Sequence, residues 1–159
     1  MSNIIFLDID GVLNTQQYLA RQRRETGSMS SLNWSPIACR HITLLCEQFD
    51  ARIVVSSTWR YNHDLDELCG FFADNNINTD LVIDTTPSLI YEEQRGTYRR
   101  GDEIAHWLEG HDCNTYVIID DLPGSHFLED QRPHLVQCRQ DKGFAEKELA
   151  IRAAEILED

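Results

Sequence analysis

Lysine is nearly absent from this chain of 159 residues, since its two lysines, Lys142 and Lys147, both lie near the C-terminus. Arginine supplies the other 12 basic residues. The 27 acidic residues outnumber the 14 basic ones, and the formal net charge is −13. This balance argues against non-specific coating of nucleic acid, which requires a basic surface. It leaves room for a local basic site.

Long apolar runs are also missing, because the longest, such as residues 4–7, has about four residues. A membrane-spanning helix needs about 20, so the sequence predicts no membrane association. Asp8 and Asp10 stand where a signal peptide requires an uncharged apolar stretch. We therefore expect a cytoplasmic protein.

Cysteine pairing has little support in the sequence. The five cysteines are an odd number and include no C-x-x-C pair. A disulfide framework or a thiolate zinc site is therefore not expected. We expect buried, reduced thiols instead. The residues concerned are Cys39, Cys46, Cys69, Cys113 and Cys138.

Short apolar runs alternate with helical patterns along the whole chain. The runs are residues 4–7, 52–55, 116–119, 135–138 and, more weakly, 81–83. Continuous runs of this kind are typical of strands buried on both faces of a parallel sheet. The length suits one domain, so we expect a single α/β domain over residues 1–159 with a mostly parallel sheet. Residues 15 to about 34 show no clear core-facing stripe and predict a long loop after the first strand.

Three polar clusters follow three of the predicted strands. Asp8-Ile9-Asp10-Gly11 follows the first, and alone it could be a solvated acidic loop or a cation site. Ser56-Ser57-Thr58-Trp59-Arg60 follows the second, where hydroxyls suit either phosphate oxygens or a helix cap. Asp120-Asp121 follows the run of residues 116–119, where the two carboxylates suit either a cation site or a turn. An EF-hand is excluded, since the loop would need Gly at its sixth position and Glu at its twelfth.

The three clusters together make a stronger prediction than any one of them. Ligand sites of open α/β sheets form at the carboxyl ends of the strands. Four carboxylates there, from Asp8, Asp10, Asp120 and Asp121, without interleaved His or Cys, favour a hard cation such as Mg²⁺ over zinc.

The order of these motifs resembles the haloacid dehalogenase-like (HAD) phosphohydrolase superfamily. The finer pattern, including Arg-Gly-Asp-Glu-Ile-x-x-Trp-Leu at residues 100–108, resembles the phosphatase module of RNA-repair proteins. The resemblance covers residues 4 to about 125. It implies a single Rossmann-like domain with helices on both faces of the sheet. The gaps after Leu13 and Arg60 are too short for a full cap domain, so an open site is expected.

One departure from the superfamily concerns its third motif, which usually supplies a lysine before the Asp-Asp pair. No lysine precedes residue 142, so an arginine must take this place if it is filled. Arg100 has the right order in the chain, with Arg99 as the close alternative. A solvated arginine at a helix start is the other interpretation of Arg100.

The resemblance also implies residue roles. Asp8 is the expected nucleophile and Asp10 the general acid and base. Ser56 and Arg100 are expected to hold phosphate oxygens. The expected Mg²⁺ ligands are Asp8, the backbone carbonyl of Asp10, and Asp120 or Asp121.

Substrate contacts are expected around this site. The predicted loop carries basic and aromatic residues that suit a nucleic-acid strand, although a merely solvated loop is an alternative. They are Tyr18, Arg21, Arg23, Arg24 and Trp34. Further substrate contacts are expected from Ser57, Arg60, Arg95 and Arg99.

Three hypotheses follow for the function. The first is a Mg²⁺-dependent phosphomonoesterase acting on nucleic-acid 3'-phosphate ends. The second is the same chemistry on a small phosphorylated metabolite or nucleotide. The third is a phosphate- or metal-binding module without turnover.

Overall fold

A computed structural model describes residues 1–89 and 99–159 of the chain. In that part of the chain, five strands form one sheet in the order β3-β2-β1-β4-β5, and every neighbouring pair is parallel. The strands are β1 (Asn3–Leu7), β2 (Ala51–Val55), β3 (Val82–Thr85), β4 (Tyr116–Asp120) and β5 (Leu135–Gln137). The prediction of a parallel α/β sheet is confirmed.

Helices connect these strands. The α-helices are α1 (Gln16–Thr26), α2 (Pro36–Phe49), α3 (Leu65–Asp74), α4 (Arg100–Glu109) and α5 (Lys147–Glu158). Shorter 3₁₀ helices are Thr58–Tyr61, Thr79–Leu81, Gly124–His126, Glu129–His134 and Gly143–Ala145. Helix α2 begins as its sequence predicts, because the Ser35 side chain accepts a hydrogen bond from the backbone N–H of Ala38 and Pro36 occupies the first turn.

Helix α1 corrects the prediction of a long loop over residues 15–34. Thr15 caps its start by accepting from the backbone N–H of Tyr18, and Gly27 ends it with a positive φ of 80°. None of its residues is fully buried, so it lacks the apolar stripe that would have marked it in the sequence. Its caps, and residues that favour helix, explain why it forms.

The sheet is covered on both faces. Ile5 and Leu7 of β1 point into the larger core, with residues of α2, α3 and α5, while Ile4 and Phe6 point to the other face. There Ile104 of α4 packs in the smaller core. This alternation along a buried strand gives the predicted Rossmann-like arrangement.

The strand order places the candidate site. The chain moves outward from β1 through β2 to β3 and then returns to β4 on the opposite side of β1. Such a reversal opens a crevice at the carboxyl ends of the two central strands, β1 and β4. Among the described residues, no helix combines the length and apolar character required to cross a bilayer.

Candidate active site

Three carboxylates meet where β1 and β4 end. The backbone N–H of Asp8 donates to the carbonyl of Ile119 at 3.0 Å, which extends the pairing of the two strands and brings Asp8 beside Asp120. Carboxylate oxygens of Asp8, Asp120 and Asp121 all lie within 4.8 Å of one another. Asp8 is 5% exposed and Asp120 is fully buried. The predicted convergence of the first and third clusters is therefore present.

Arg100, at the start of α4, is the cation in contact with these carboxylates. Its Nη1 lies 2.7 Å from Oδ2 of Asp120 and 3.7 Å from Oδ2 of Asp8, and it donates to the carbonyl of Ser56 at 2.8 Å. Arg99 is different, because its side chain is 40% exposed and its Nη2 lies 3.9 Å from Oδ1 of Asp102. Of the two candidates for the third motif, Arg100 is the one beside the carboxylates.

Burial raises the pKa values of the two central carboxyls. Burial, reinforced by the charge of Asp120, raises the pKa of Asp8 well above its ordinary value, although Arg100 opposes the shift. Burial also raises the pKa of Asp120 to about 6, again against the influence of Arg100. One guanidinium therefore does not compensate the buried carboxylates. A hard divalent cation such as Mg²⁺ fits this all-oxygen donor set.

Gly11 and Gln140 shape the outer part of the cluster. Gly11 has a φ of +74°, and a Cβ atom there would lie 2.6 Å from Oδ2 of Asp121, so the turn after Asp10 requires glycine. The same Asp121 oxygen accepts a hydrogen bond of 3.0 Å from Nε2 of Gln140. Gln140 follows β5 and belongs to no motif, so no sequence pattern predicted it as a site residue.

The two serines after β2 have separate surroundings. The backbone N–H of Ser56 donates to the carbonyl of Leu7, which fixes it beside β1, while its Oγ is buried and has no hydrogen-bond partner among residues 1–89 and 99–159. Ser57 is the N-cap of a 3₁₀ helix and its Oγ accepts from the backbone N–H of Trp59. An unpartnered buried hydroxyl is costly, so Ser56 is the better candidate for a ligand contact.

Asp10 stands apart from the three clustered carboxylates in the described structure. Its Oδ1 accepts from Nδ2 of Asn14 at 2.6 Å, and its Oδ2 accepts from Nε1 of Trp59 at 3.0 Å. The Asp10 side chain is exposed at the rim of the site. Asn14 and Trp59 were not predicted as site residues, although Asn14 lies four positions after Asp10 and Trp59 belongs to the second polar cluster, because neither pattern marks a partner of Asp10.

Arg60 is not exposed to a substrate in the described structure, which differs from its predicted place. Its guanidinium is 4% exposed and lies 2.5 Å from Oε2 of Glu103, which is almost fully buried on α4. It also donates to the carbonyl of Ser57. The Glu103 carboxylate further accepts from the backbone N–H of Leu89. Arg60 thus joins the end of β2 to the helix that carries Arg100.

The basic and aromatic residues predicted to contact a strand divide into two groups. Tyr18, Arg21 and Arg24 line an open groove of about 430 Å³ between α1 and the start of α2, away from the carboxylates, with Arg21 also paired to exposed Glu25. Trp34 is instead a core residue, 2% exposed and packed against Phe72. The prediction of base stacking on Trp34 is wrong, because its ring is buried. Arg95 lies outside the described residues.

Comparison with known families agrees with this geometry. The chain matches, over residues 4–149, the family described as the HAD domain in Swiss Army Knife RNA repair proteins. Comparisons with curated proteins and with solved structures gave no match. Since the family match extends over most of the chain and includes all the clustered carboxylates, this protein belongs to the family of HAD domains found in Swiss Army Knife RNA repair proteins.

Proposed function

We propose that this protein is a Mg²⁺-dependent phosphomonoesterase that works through an aspartyl-phosphate and acts on nucleic-acid 3'-phosphate ends. The observation that carries the proposal is the meeting of Asp8, Asp120 and Asp121 beside Arg100 at the carboxyl edge of the sheet. Membership of the HAD family supports a phosphatase-type hydrolase.

The first chemical step transfers the phosphoryl group to Asp8. A carboxylate oxygen of Asp8 forms a bond to phosphorus while the bond to the leaving oxygen breaks, and Asp10 gives its proton to that oxygen. In the second step Asp10 takes a proton from water, whose oxygen attacks the phosphorus. Inorganic phosphate leaves, and both Asp8 and the protonated Asp10 are restored.

The neighbouring groups stabilise the charge that accumulates around phosphorus. Ser56, with its unpartnered hydroxyl, and Arg100 would hold non-bridging oxygens. Mg²⁺ would be held by Asp8, the backbone carbonyl of Asp10, and Asp120 or Asp121. When bound it supplies positive charge that offsets the repulsion between the nucleophile and the phosphate.

A polynucleotide end is the substrate that the surroundings favour. Thr15, the N-cap of α1, directly follows the Asn14 that holds Asp10, and the helix carries Arg21 and Arg24 along an open groove. Arg99, which is partly exposed and next to Arg100 in the chain, adds another cation. These residues would contact phosphates beyond the one that is removed. The free cysteines support the cytoplasmic location that we also propose.

Phosphate release from a substrate panel tests this function. A 3'-phosphorylated oligonucleotide, the same oligonucleotide with a 5'-phosphate, and a set of phosphorylated metabolites are compared with Mg²⁺ and with EDTA, with Asp8→Asn as the inactive control. We expect the highest kcat/KM for the 3'-phosphate, and turnover only with Mg²⁺. Higher kcat/KM on metabolites would establish the small-molecule phosphatase instead, and binding without turnover would establish a non-catalytic module.

The contribution of α1 is tested with the double variant Arg21→Gln/Arg24→Gln. It is expected to raise KM about fivefold for the oligonucleotide, because each phosphate contact contributes a small electrostatic attraction, and to leave KM for a phosphorylated mononucleotide nearly the same. Arg152→Gln is the matched control, since Arg152 is also exposed and paired to a glutamate on a helix. An equal KM for the oligonucleotide in the double variant and in this control would mean that the nucleic acid binds elsewhere on the protein.

A further inference from the structure

We infer that Trp59 is a positioning residue that orients the Asp10 carboxylate for protonation of the leaving group, an inference that rests on the proposed phosphatase function. The indole Nε1 of Trp59 donates to Oδ2 of Asp10 at 3.0 Å. This bond joins residues that are 49 positions apart in the chain. Trp59 itself has no group that exchanges protons with a substrate.

The two oxygens of Asp10 are each held by a different donor. Asn14 donates to Oδ1 at 2.6 Å, while Trp59 donates to Oδ2. A carboxylate held at both oxygens has its plane determined, which a single contact would leave free to rotate. An acid that must protonate one particular oxygen gains from that fixed plane, because small misplacements lower the rate strongly.

Both donors are themselves held in place. Asn14 is buried, and its Oδ1 accepts from the backbone N–H of Gly11 at 3.1 Å. The Trp59 ring packs edge-on against Phe71 and Trp34, with ring centroids 5.6 Å and 6.0 Å away. Trp59 therefore transmits the rigidity of the aromatic core to a carboxylate at the rim of the site.

The chemical nature of the donors suits a group that passes a proton in both directions. Indole N–H is a donor only, so it cannot accept the proton that Asp10 carries. A neutral donor also attracts an ionised carboxylate less strongly than a guanidinium would. Trp59 can thus orient the Asp10 carboxylate without taking part in the proton transfer itself.

Leaving-group dependence distinguishes this role from a general structural one. kcat/KM is measured with Mg²⁺ for aryl phosphates of graded phenol acidity, from p-nitrophenyl phosphate to phenyl phosphate, and for an alkyl phosphate. This parameter covers the steps up to phosphoryl transfer and excludes hydrolysis of the aspartyl-phosphate. The Trp59→Phe variant keeps an aromatic ring in the core but removes the N–H.

For Trp59→Phe we expect kcat/KM to fall about tenfold for the alkyl phosphate and less than twofold for p-nitrophenyl phosphate, because a nitrophenolate leaves without a proton. Trp107→Phe is the matched control, since its Nε1 donates to the Asp84 carboxylate at 2.7 Å outside the site. We expect that control to lower kcat/KM equally for all esters or for none. An equal loss for all esters in Trp59→Phe would overturn the inference while leaving the phosphatase intact.

The contact itself is observable without turnover. In an indole ¹H–¹⁵N spectrum, the Trp59 signal is identified by its loss in Trp59→Phe, and Asp10→Ala should shift that signal more than those of Trp34 and Trp107. An unmoved Trp59 signal would overturn the inference. Absence of turnover by the unmodified protein of these esters and of the 3'-phosphorylated oligonucleotide would overturn the proposed function together with it.

Discussion

Asp8 and Asp10 are two residues apart in one motif, yet their surroundings are opposite. Asp8 is buried between β1 and β4, beside two other carboxylates and the guanidinium of Arg100. Asp10 is exposed and is held by the neutral N–H groups of Asn14 and Trp59. Only Ile9, which is fully buried, lies between them in the chain.

This difference matches the two tasks proposed for the carboxylates. A nucleophile must be ionised and must approach a negatively charged phosphate, so cationic neighbours favour its reactive form. A proton shuttle must be stable both with and without its proton, so neutral donors suit it better. The comparison therefore shows that Asp8, the proposed nucleophile, has charged neighbours. Asp10, the proposed proton shuttle, has neutral neighbours that fix its orientation.

Replacing each carboxylate by its amide gives the largest expected contrast. Asp8→Asn should lower kcat by about 10⁴-fold or more, because an amide is a poor nucleophile. It should also raise the melting temperature at pH 8 without metal, since burial disfavours the ionised Asp8. Asp10→Asn should lower kcat by less, about 10²–10³-fold, and lower the melting temperature only slightly. Kinetics and thermal denaturation measure both; comparable kcat for the two variants would break the comparison.

Replacing Arg100, the cation beside Asp8, tests whether the proposed nucleophile requires a positive charge next to it. Arg100→Gln should lower kcat by about 10²–10³-fold, and Arg100→Lys by about tenfold, because lysine keeps the charge but loses the paired donors. Arg99→Gln is the control and should act mainly on KM. Steady-state kinetics on folded variants decides this, and a greater loss of kcat in Arg99→Gln would assign the third motif to Arg99.

Replacing Ser56 and Ser57 gives a smaller expected effect, and it separates activity from stability. Ser56→Ala should lower kcat/KM by about 10-fold or more, through a lost phosphate contact, yet leave the free energy of unfolding equal or higher, since Oγ has no partner. Ser57→Ala should lower the free energy of unfolding by about 1 kcal/mol through loss of a cap. Denaturant unfolding and kinetics are both needed. A destabilised Ser56→Ala protein with full activity would reverse the assignment.

The pH dependence of stability gives the smallest expected effect. The pKa of Asp120 is raised to about 6 and that of Asp8 is raised as well, so the folded chain binds more protons than the unfolded chain. In EDTA, the free energy of unfolding should therefore fall as pH rises from about 4 through about 6. Mg²⁺ binds the ionised carboxylates and should raise the melting temperature more at pH 8 than at pH 5. A pH-independent effect of Mg²⁺ would mean that it binds elsewhere.

The features that the sequence predicted are those determined locally. Apolar runs identified the strands, and the polar residues that end them must meet at one edge of a parallel sheet. Helix α1 was missed because it buries no full stripe, and its caps were hidden in a polar segment. The choice between Arg99 and Arg100 stayed open in the sequence, because it depends on where α4 begins relative to β4.

The contacts that could not be predicted join distant parts of the chain. Trp59 and Gln140 reach Asp10 and Asp121 only after the sheet has formed. Trp34 resembled a surface ring because it follows a basic segment, and its burial depends on packing against Phe72. Arg60 stands in a motif but pairs with Glu103, which has no marked place in the sequence.

Glu103 also has a consequence for how this protein tolerates change in length. One carboxylate accepts both the Arg60 guanidinium, after β2, and the Leu89 backbone N–H, after β3. The intervening segment, which crosses over through α3 to the parallel strand β3, is thus held at its two ends by a single side chain. We expect short insertions at its exposed turn near Asn76 to change the structure only locally and to leave the positions of the active-site residues the same.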